Sequence, residues 1–485
     1  MMKTKLALTS ALALTLAGCA TGPIPDASTP ITQNEAQQGA EAHPQLLAEF
    51  GGAMTGQYAQ YVDQVGKNIA VHSGLGNARE SFTVSLLNSP VNNAFAIPGG
   101  YIYTTRQLVA LMDNEAELAA VLGHEVGHVA ARHSQRRQQN AQRNQLGGAL
   151  AAILSGVFLG NSGLGQQIGQ LALQSSQLLT LRFSRSQELE ADRLGIEYLN
   201  RAGYDPHAMA SVLASLANQN TLDARLQGRD DARLPAWAST HPDPASRVQT
   251  ADQIAQGTGM TNTDTFLSRI DGMTYGDDPA QGVVEGRQFI HPELRLAFTA
   301  PQGFYMINGT RAVSVNGQSG KAQLTLGQFN GNLESYVGNV FAALGGQQQQ
   351  LRPSSIQRTT VNGLPAAYGT ARVNSGSGQV DVVVFAYQFS NDRAYHFQAI
   401  TQAGRAQVFT PMFNSMRRIS AQEAAAVVPR RIDVVTVRAG DTVQSLARRM
   451  AYDTGQVERF LVLNSLGDNE QLRAGQKVKL VVRGS

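Results

Sequence analysis

The sequence predicts a multidomain chain: a mainly helical α+β domain, then a β-rich α+β domain, then a small βααβ module. Three observations predict it. At 485 residues the chain exceeds one ordinary domain. Helical periodicity dominates from about Pro44 to about Gln256, whereas alternating runs such as "RLAFTA", "AQLTLGQF", "QVDVVVFAYQF" and "AYHFQAI" mark strands between Arg287 and Met416. Beyond residue 433 the order is strand, "AGDT", helix, helix, "LNSL" and the closing strand of "LRAGQKVKL". Hydrophobic residues at 42% and charged residues at 15% exclude a disordered chain, and the 48 glycines imply small-residue packing and many turns. A net charge of +3 over this length provides no basic stripe, so nucleic acid is excluded as a partner.

The N-terminus is expected to lie outside the fold. "MMKTK" is a basic segment, "LALTSALALTLA" an apolar run of signal-peptide length, and "LAGC" closes it at Cys19. This resembles a bacterial lipobox, which implies removal of residues 1–18 and acylation of Cys19 as the first mature residue. A transmembrane anchor would need about 20 apolar residues. Cys19 is also the one cysteine in the chain, which excludes disulfides and thiolate metal sites. For a Gram-negative source, Ala20 after the cysteine, in place of Asp, implies an outer-membrane lipoprotein facing the periplasm. Residues 19–43 read as a flexible tether, 44–256 as the first domain, 257–286 as a linker, 287–420 as the β-rich domain, 421–432 as a second linker and 433–485 as the last module.

Within the first domain, Asn114 stands three residues before Glu117, a capping box that predicts a helix running through His133. On that helix "HEVGH" puts His124 and His128 four apart and therefore on one face. The two imidazoles can bind one Zn²⁺, with Glu125 beside it as general base. With nine His and 36 acidic residues, chance would produce this pattern in at most about one such chain per hundred. A third ligand is required from elsewhere. "FSRSQELEADRLGIEYLN" supplies Glu188, with Asp192 four residues on and on the same face, placed to hydrogen-bond the outer nitrogen of a ligand histidine.

Together, "NNAFAIPGGYIYTT", "NEAELAAVLGHEVGHVAARH" and "SRSQELEADRLG" resemble the M48 family of zinc metallopeptidases, over roughly residues 44–255. The resemblance implies a zincin-type α+β fold, one Zn²⁺ per chain on His124, His128 and Glu188, Glu125 as base and Asp192 as its supporting carboxylate. It also implies that Asn93, Ala94 and Phe95 lie on an edge strand beside the cleft, where an extended peptide can pair by strand addition. The glycine-studded apolar stretch "LGGALAAILSGVFLGNSGLGQQIGQLALQSSQLLTL" reads as a helical hairpin over the site, with a membrane-touching lid as the alternative. Downstream, "STHPDPASRVQT" resembles a Thr-His-Pro element of periplasmic members. Its His241 is expected either to fill the open metal position or to polarise the substrate, or else to be an ordinary turn histidine, with Arg247 holding the loop.

The C-terminal module resembles LysM domains, which bind N-acetylglucosamine-containing glycans, in bacteria usually peptidoglycan, although the opening aromatic is absent. The expectation is a lipid-anchored zinc endopeptidase of the cell envelope that cleaves misfolded or misassembled envelope polypeptides in protein quality control. The alternatives are a peptidoglycan-associated hydrolase using the same zinc, or a latent protease acting mainly as a chaperone or binding protein.

Overall fold

The computed structural model describes residues 29–137, 183–226, 241, 244–345, 351–375 and 378–484. Residues 33–43, expected as part of a flexible tether, are instead helical: α1 (Gln33–Glu49) opens with a capping box between Thr32 and Glu35 and buries Glu35 and Gly39. It is followed by α2 (Gln57–Ala70), the short α3 (Ala78–Ser81), and strands β1 (Thr83–Leu87), β2 (Ala94–Ile97) and β3 (Tyr101–Thr105). These strands form a sheet of order β1-β3-β2, with β1 parallel and β2 antiparallel to β3, so β2 is an edge. The outer face of the sheet is covered by α1, whose Leu46 packs with Phe95, Ile97 and Tyr103. No helix among the described residues is long and apolar enough to cross a membrane.

After α4 (Arg106–Leu111) comes α5 (Glu115–Ala130), of which every residue but Val129 is buried. Its start is as predicted: Asn114 Oδ1 accepts the Glu117 amide at 2.9 Å, although the Glu117 carboxylate reaches back to Asp113 N and not to the cap. Its end differs from the prediction. The helix stops at Ala130 because Arg132 adopts φ +51°, in the left-handed region, and His133 therefore leaves the helix axis. Helix α6 (Arg185–Ala202) crosses α5 where glycines line both surfaces. A Cβ on Gly195 would lie 3.1 Å from His124 N, and one on Gly127 would lie 3.2 Å from the Ala191 carbonyl. Helices α7 (Ala208–Leu226) and α8 (Pro244–Ile254) pack beside them.

Residues 257–286, expected as a linker, hold α9 (Thr263–Ile270), β4 (Thr274–Tyr275) and β5 (Val283–Glu285). The apolar face of α9 is only Phe266, Leu267 and Ile270, a pattern too brief to stand out among the surrounding Thr, Asn, Asp and Gly. The second expected linker likewise carries α12 (Ala421–Ala425) and the start of β16 (Arg430–Thr436).

The middle domain has a four-stranded sheet of order β15-β7-β6-β5, built with β6 (Gln288–His291), β7 (Leu296–Thr299) and β15 (Arg417–Arg418). It packs on a seven-stranded antiparallel sheet made of β8 (Tyr305–Asn308), β9 (Val313–Gly317), β10 (Gly320–Leu326), β11 (Ile356–Val361), β12 (Leu364–Ser375), β13 (Gly378–Gln388) and β14 (Ala394–Gln402). The order of that sheet is β11-β12-β13-β14-β10-β9-β8. The continuous apolar run of β13 follows from burial on both faces. Val383, Phe385 and Tyr387 enter the core between the sheets with α11 (Thr410–Ser415), while Val382, Val384 and Ala386 meet α10 (Leu333–Gly345).

The last module is β16, α13 (Val443–Ala447), α14 (Gln456–Leu463) and β17 (Lys477–Arg483), with β16 and β17 antiparallel and β4 added at the edge. It is not a separate bead. Its Ile432, Val437, Phe460, Leu463, Val478 and Leu480 belong to one continuous core with Val62, Leu108, Leu118, Leu213 and Phe266 of the first domain.

Candidate metal centre

Helices α5 and α6 place His124, His128 and Glu188 around one point, and His241, just ahead of α8, joins them. Each of these four buried side chains offers a donor atom, and the four atoms lie within 4.8 Å of one another. His124 Nε2 and His128 Nε2 are 3.0 Å apart, each is 3.6 Å from a Glu188 oxygen, and His241 Nδ1 lies 3.3 Å from His124 Nε2 and 3.1 Å from Glu188 Oε2. The edges of a zinc tetrahedron with such ligands are about 3.3 Å.

The chemistry of the donors also fits a cation. His124 Nδ1 faces Asp192 Oδ1 at 2.9 Å and so carries the ring's proton, which leaves its Nε2 lone pair aimed at the equally inward Nε2 of His128. Two imidazole lone pairs and a carboxylate converging in a buried space repel one another unless a positive ion lies between them. Burial drives His128 well below its ordinary value, which favours the neutral ring that a metal requires.

Arg247, on α8, is the anchor of the centre. It donates to Glu188 Oε2 at 2.7 Å through Nη1, to Asp192 Oδ2 at 2.7 Å through Nε, and to Asp192 Oδ1 through Nη2. Burial would raise the Asp192 carboxyl, but the Arg247 guanidinium and the His124 contact outweigh it and hold Asp192 below the usual carboxylate range. For Glu188, His241 and Arg247 outweigh burial in the same sense. Reading Arg247 only as a support for its loop understated it, because its two carboxylate partners lie far from it in sequence.

Glu125 is fully buried, and neither of its carboxylate oxygens has a hydrogen-bond partner within the described structure. Burial pushes its carboxyl above the usual range, against the pull of His241 and His124. A carboxylate with raised proton affinity that makes no hydrogen bond among the described residues, and lies 3.5 Å from His241 Nε2, suits a base whose partner is a water or a substrate.

The substrate-binding expectation is altered by the geometry. β2 is the sheet edge, and Ala94 O faces the centre, 3.3 Å from His241 Nε2. Phe95, however, points the other way: it is stacked on Tyr103 with ring centroids 4.7 Å apart and is 4% exposed, since successive side chains on a strand alternate faces. Asn93 has its backbone bound to Thr105 on both sides, whereas its buried Oδ1 has no hydrogen-bond partner among the described residues. The strand therefore offers Ala94 backbone and the Asn93 carboxamide, and Phe95 is core. Cys19 and the glycine-rich stretch between the two ligand helices lie outside the described residues.

Against known families, residues 57–255 match the model described as Peptidase family M48, and residues 435–481 match the LysM domain. Residues 57–255 are an M48 peptidase domain. That M48 domain carries both ligand helices and His241, and the family's zinc dependence agrees with the buried donor set. Among curated relatives, the beta-barrel assembly-enhancing protease of Escherichia coli is 34% identical over 217 residues, covering 43% of this chain and 42% of that protein. The corresponding protein of Yersinia pestis is 35% identical over 195 residues, covering 40% and 38%. The Mitochondrial metalloendopeptidase OMA1 of Schizosaccharomyces pombe is 30% identical over 222 residues, covering 45% and 60%. The chain thus spans under half the length of the two bacterial relatives.

In the LysM domain, the residues that carry its sequence signature act as framework. Asp441 Oδ2 accepts Arg438 N at 2.7 Å, Thr442 caps α13, and Asn464 binds Lys479 through both its amide oxygen and its amide nitrogen.

Proposed function

We propose that the chain is a zinc-dependent endopeptidase of the bacterial cell envelope that cleaves misfolded or misassembled envelope polypeptides, anchored to the outer membrane through acylated Cys19 and facing the periplasm. The single observation that carries the peptidase reading is the buried cluster of His124, His128, Glu188 and His241 beside Glu125, whose carboxylate has no hydrogen bond among the described residues and lies 3.5 Å from His241 Nε2. The envelope setting is supported by the lipobox-like "LAGC", by the LysM domain and by the printed names of the bacterial relatives. Peptidoglycan is a candidate partner through that domain.

When bound, zinc supplies Lewis acidity that polarises a peptide carbonyl and eases the loss of a proton from water. The chain's own residues do the rest. The edge of β2 would hold an extended substrate by backbone pairing near Ala94, which sets the scissile carbonyl across the face of α5. Glu125 takes a proton from the attacking water as the oxygen bonds to the carbonyl carbon, and returns it to the amide nitrogen as the C–N bond breaks. Its raised proton affinity favours its holding the proton between the two transfers. Asp192 fixes the His124 tautomer, and Arg247 holds Asp192 and Glu188 in place.

Glu125→Gln preserves shape and removes the base. We expect zinc content to persist and casein cleavage to fall at least about 100-fold, the lower end for general base catalysis. His124→Ala should lose metal and activity together. Cleavage by the Gln variant near the parent rate would reject the mechanism. Soluble muropeptides released by the parent and lost in that variant would move the substrate class to peptidoglycan. The latent alternative has its own support, because His241 lies among the ligand atoms and also reaches the β2 edge.

A further inference from the structure

Every donor atom in the centre has an outward partner, and the partner of His128 has no role in the mechanism above. His128 Nδ1 lies 2.8 Å from Nδ1 of His133, and His133 Nε2 lies 3.1 Å from Oε2 of Glu190. Glu190 is in turn bound by Arg136 Nη1, at 3.1 and 3.2 Å from its two oxygens. His133 is fully buried, whereas the Glu190 and Arg136 side chains are 34% and 40% exposed, so a line of hydrogen bonds runs from the metal centre to solvent.

From these contacts we infer that His133 and Glu190 are positioning residues for the metal ligand His128, acting as a carboxylate–histidine relay that fixes its tautomer and strengthens it as a donor. This rests on the metal-centre reading. The proton assignments follow from the geometry. His128 turns Nε2 toward the other ligand atoms, so its proton is on Nδ1, where His133 Nδ1 is the acceptor among the described residues. His133 must then carry its own proton on Nε2, and that N–H donates to the Glu190 carboxylate. The anionic charge of Glu190 is passed inward through two imidazoles, where a ligand histidine more often meets a carboxylate directly. His124 has that direct arrangement with Asp192.

The backbone is shaped to build the relay. Had α5 continued through His133, that side chain would point about 140° away from His128, five residues on at 3.6 residues per turn. Instead Arg132, a non-glycine residue at φ +51°, turns the chain back and sets the His133 ring 4.9 Å from the His128 ring. Left-handed backbone at such a residue is strained and persists where its surroundings enforce it. Here they do: the buried Arg132 guanidinium donates to Glu35 Oε1 at 3.1 Å and to the Thr29 carbonyl at 2.8 Å. Helix α6 thereby acts on both ligand histidines, through Asp192 on His124 and through Glu190 on His128, while supplying Glu188 itself.

The test is the zinc dissociation constant of the full chain, measured by competition with a chromophoric chelator, for His133→Leu and Glu190→Gln. Melting of the metal-free proteins is followed in parallel. We expect zinc binding to weaken by about 10- to 100-fold in His133→Leu, and by a smaller factor in Glu190→Gln, which keeps an acceptor but removes the charge. A cobalt-substituted parent and Glu190→Gln should also differ in their visible absorption bands, a signature that loss of packing alone would not produce. Parental zinc affinity in both variants would overturn the proposal, even with a lowered melting temperature, since that assigns His133 to packing. Parental affinity in Glu190→Gln with loss only in His133→Leu would overturn the relay to Glu190. None of these readouts needs peptide cleavage, so a failure of the peptidase reading would be seen separately.

Discussion

His241 approaches the centre with both ring nitrogens occupied: Nδ1 among the ligand atoms and Nε2 on the Ala94 carbonyl. In that position it would take the place of the water on a bound metal and would also cap the edge where a substrate backbone would pair. His241→Ala should therefore raise peptide cleavage, by roughly tenfold if the closed arrangement holds about nine-tenths of the population. The comparison is of model-peptide rates at matched zinc content, and a fall would assign His241 to catalysis instead. Much of this site was legible residue by residue. His124, Glu125 and His128 share a spacing that chance seldom makes, and Glu188 and Asp192 repeat the same interval. His133 was not legible, because its role depends on a left-handed Arg132, for which the local sequence has no glycine or asparagine signal. That the Phe95 side chain faces the core could not be read, because membership of an edge strand does not say which face a side chain takes.

Between elements, the centre depends on how closely α5 and α6 approach. Gly123, Gly127 and Gly195 let the two backbones meet, so that ligands on separate helices come within bonding range of one ion. Gly195→Ala places a methyl 3.1 Å from His124 N, a contact with backbone that cannot swing aside, and 2.7 Å from Met209 Cε, which can. The substitution should cost about 1–3 kcal/mol of stability. It should also weaken zinc binding, because the helices separate at the level of His124. Calorimetric melting with and without zinc checks this, and a stabilised protein would show that the crossing is looser than described. The helical and β periods that define these elements could be read from the sequence, but the crossing could not. Glycine in a helix signals close approach without naming the partner.

At the scale of the molecule, the LysM domain is part of the peptidase fold. Lys479 on β17 is fully buried, and its Nζ donates to the carbonyls of Ala110, Leu111 and Met112 at the end of α4, besides lying 2.9 Å from Asp113. A cation there satisfies helix-end carbonyls that would otherwise be orphaned immediately before the metal-binding helix begins. Arg106 at the other end of α4 donates to the Thr274 carbonyl and to Asn88. Lys479→Met should destabilise the chain by about 1–3 kcal/mol, the cost of leaving buried acceptors without a donor. If the two domains melt as one unit, a single cooperative transition shifts down. Two transitions, with only the later domain affected, would contradict the shared core. A strongly patterned module can be recognised in sequence, yet its docking could not be: Lys479 reads as one more outward lysine on an alternating strand.

The contact between Lys479 and Ala110 joins residues 369 positions apart. Its consequence is one of timing. A ribosome or an export channel delivers the chain from its first residue, so α4 and the ligand helix behind it emerge long before the strand that secures them. Contacts of such sequence separation form late, because the intervening loop must be closed before they repay its entropy. The peptidase half consequently waits on the far end of its own polypeptide, and a chain interrupted partway through synthesis would lack the lysine that completes the hydrolytic fold.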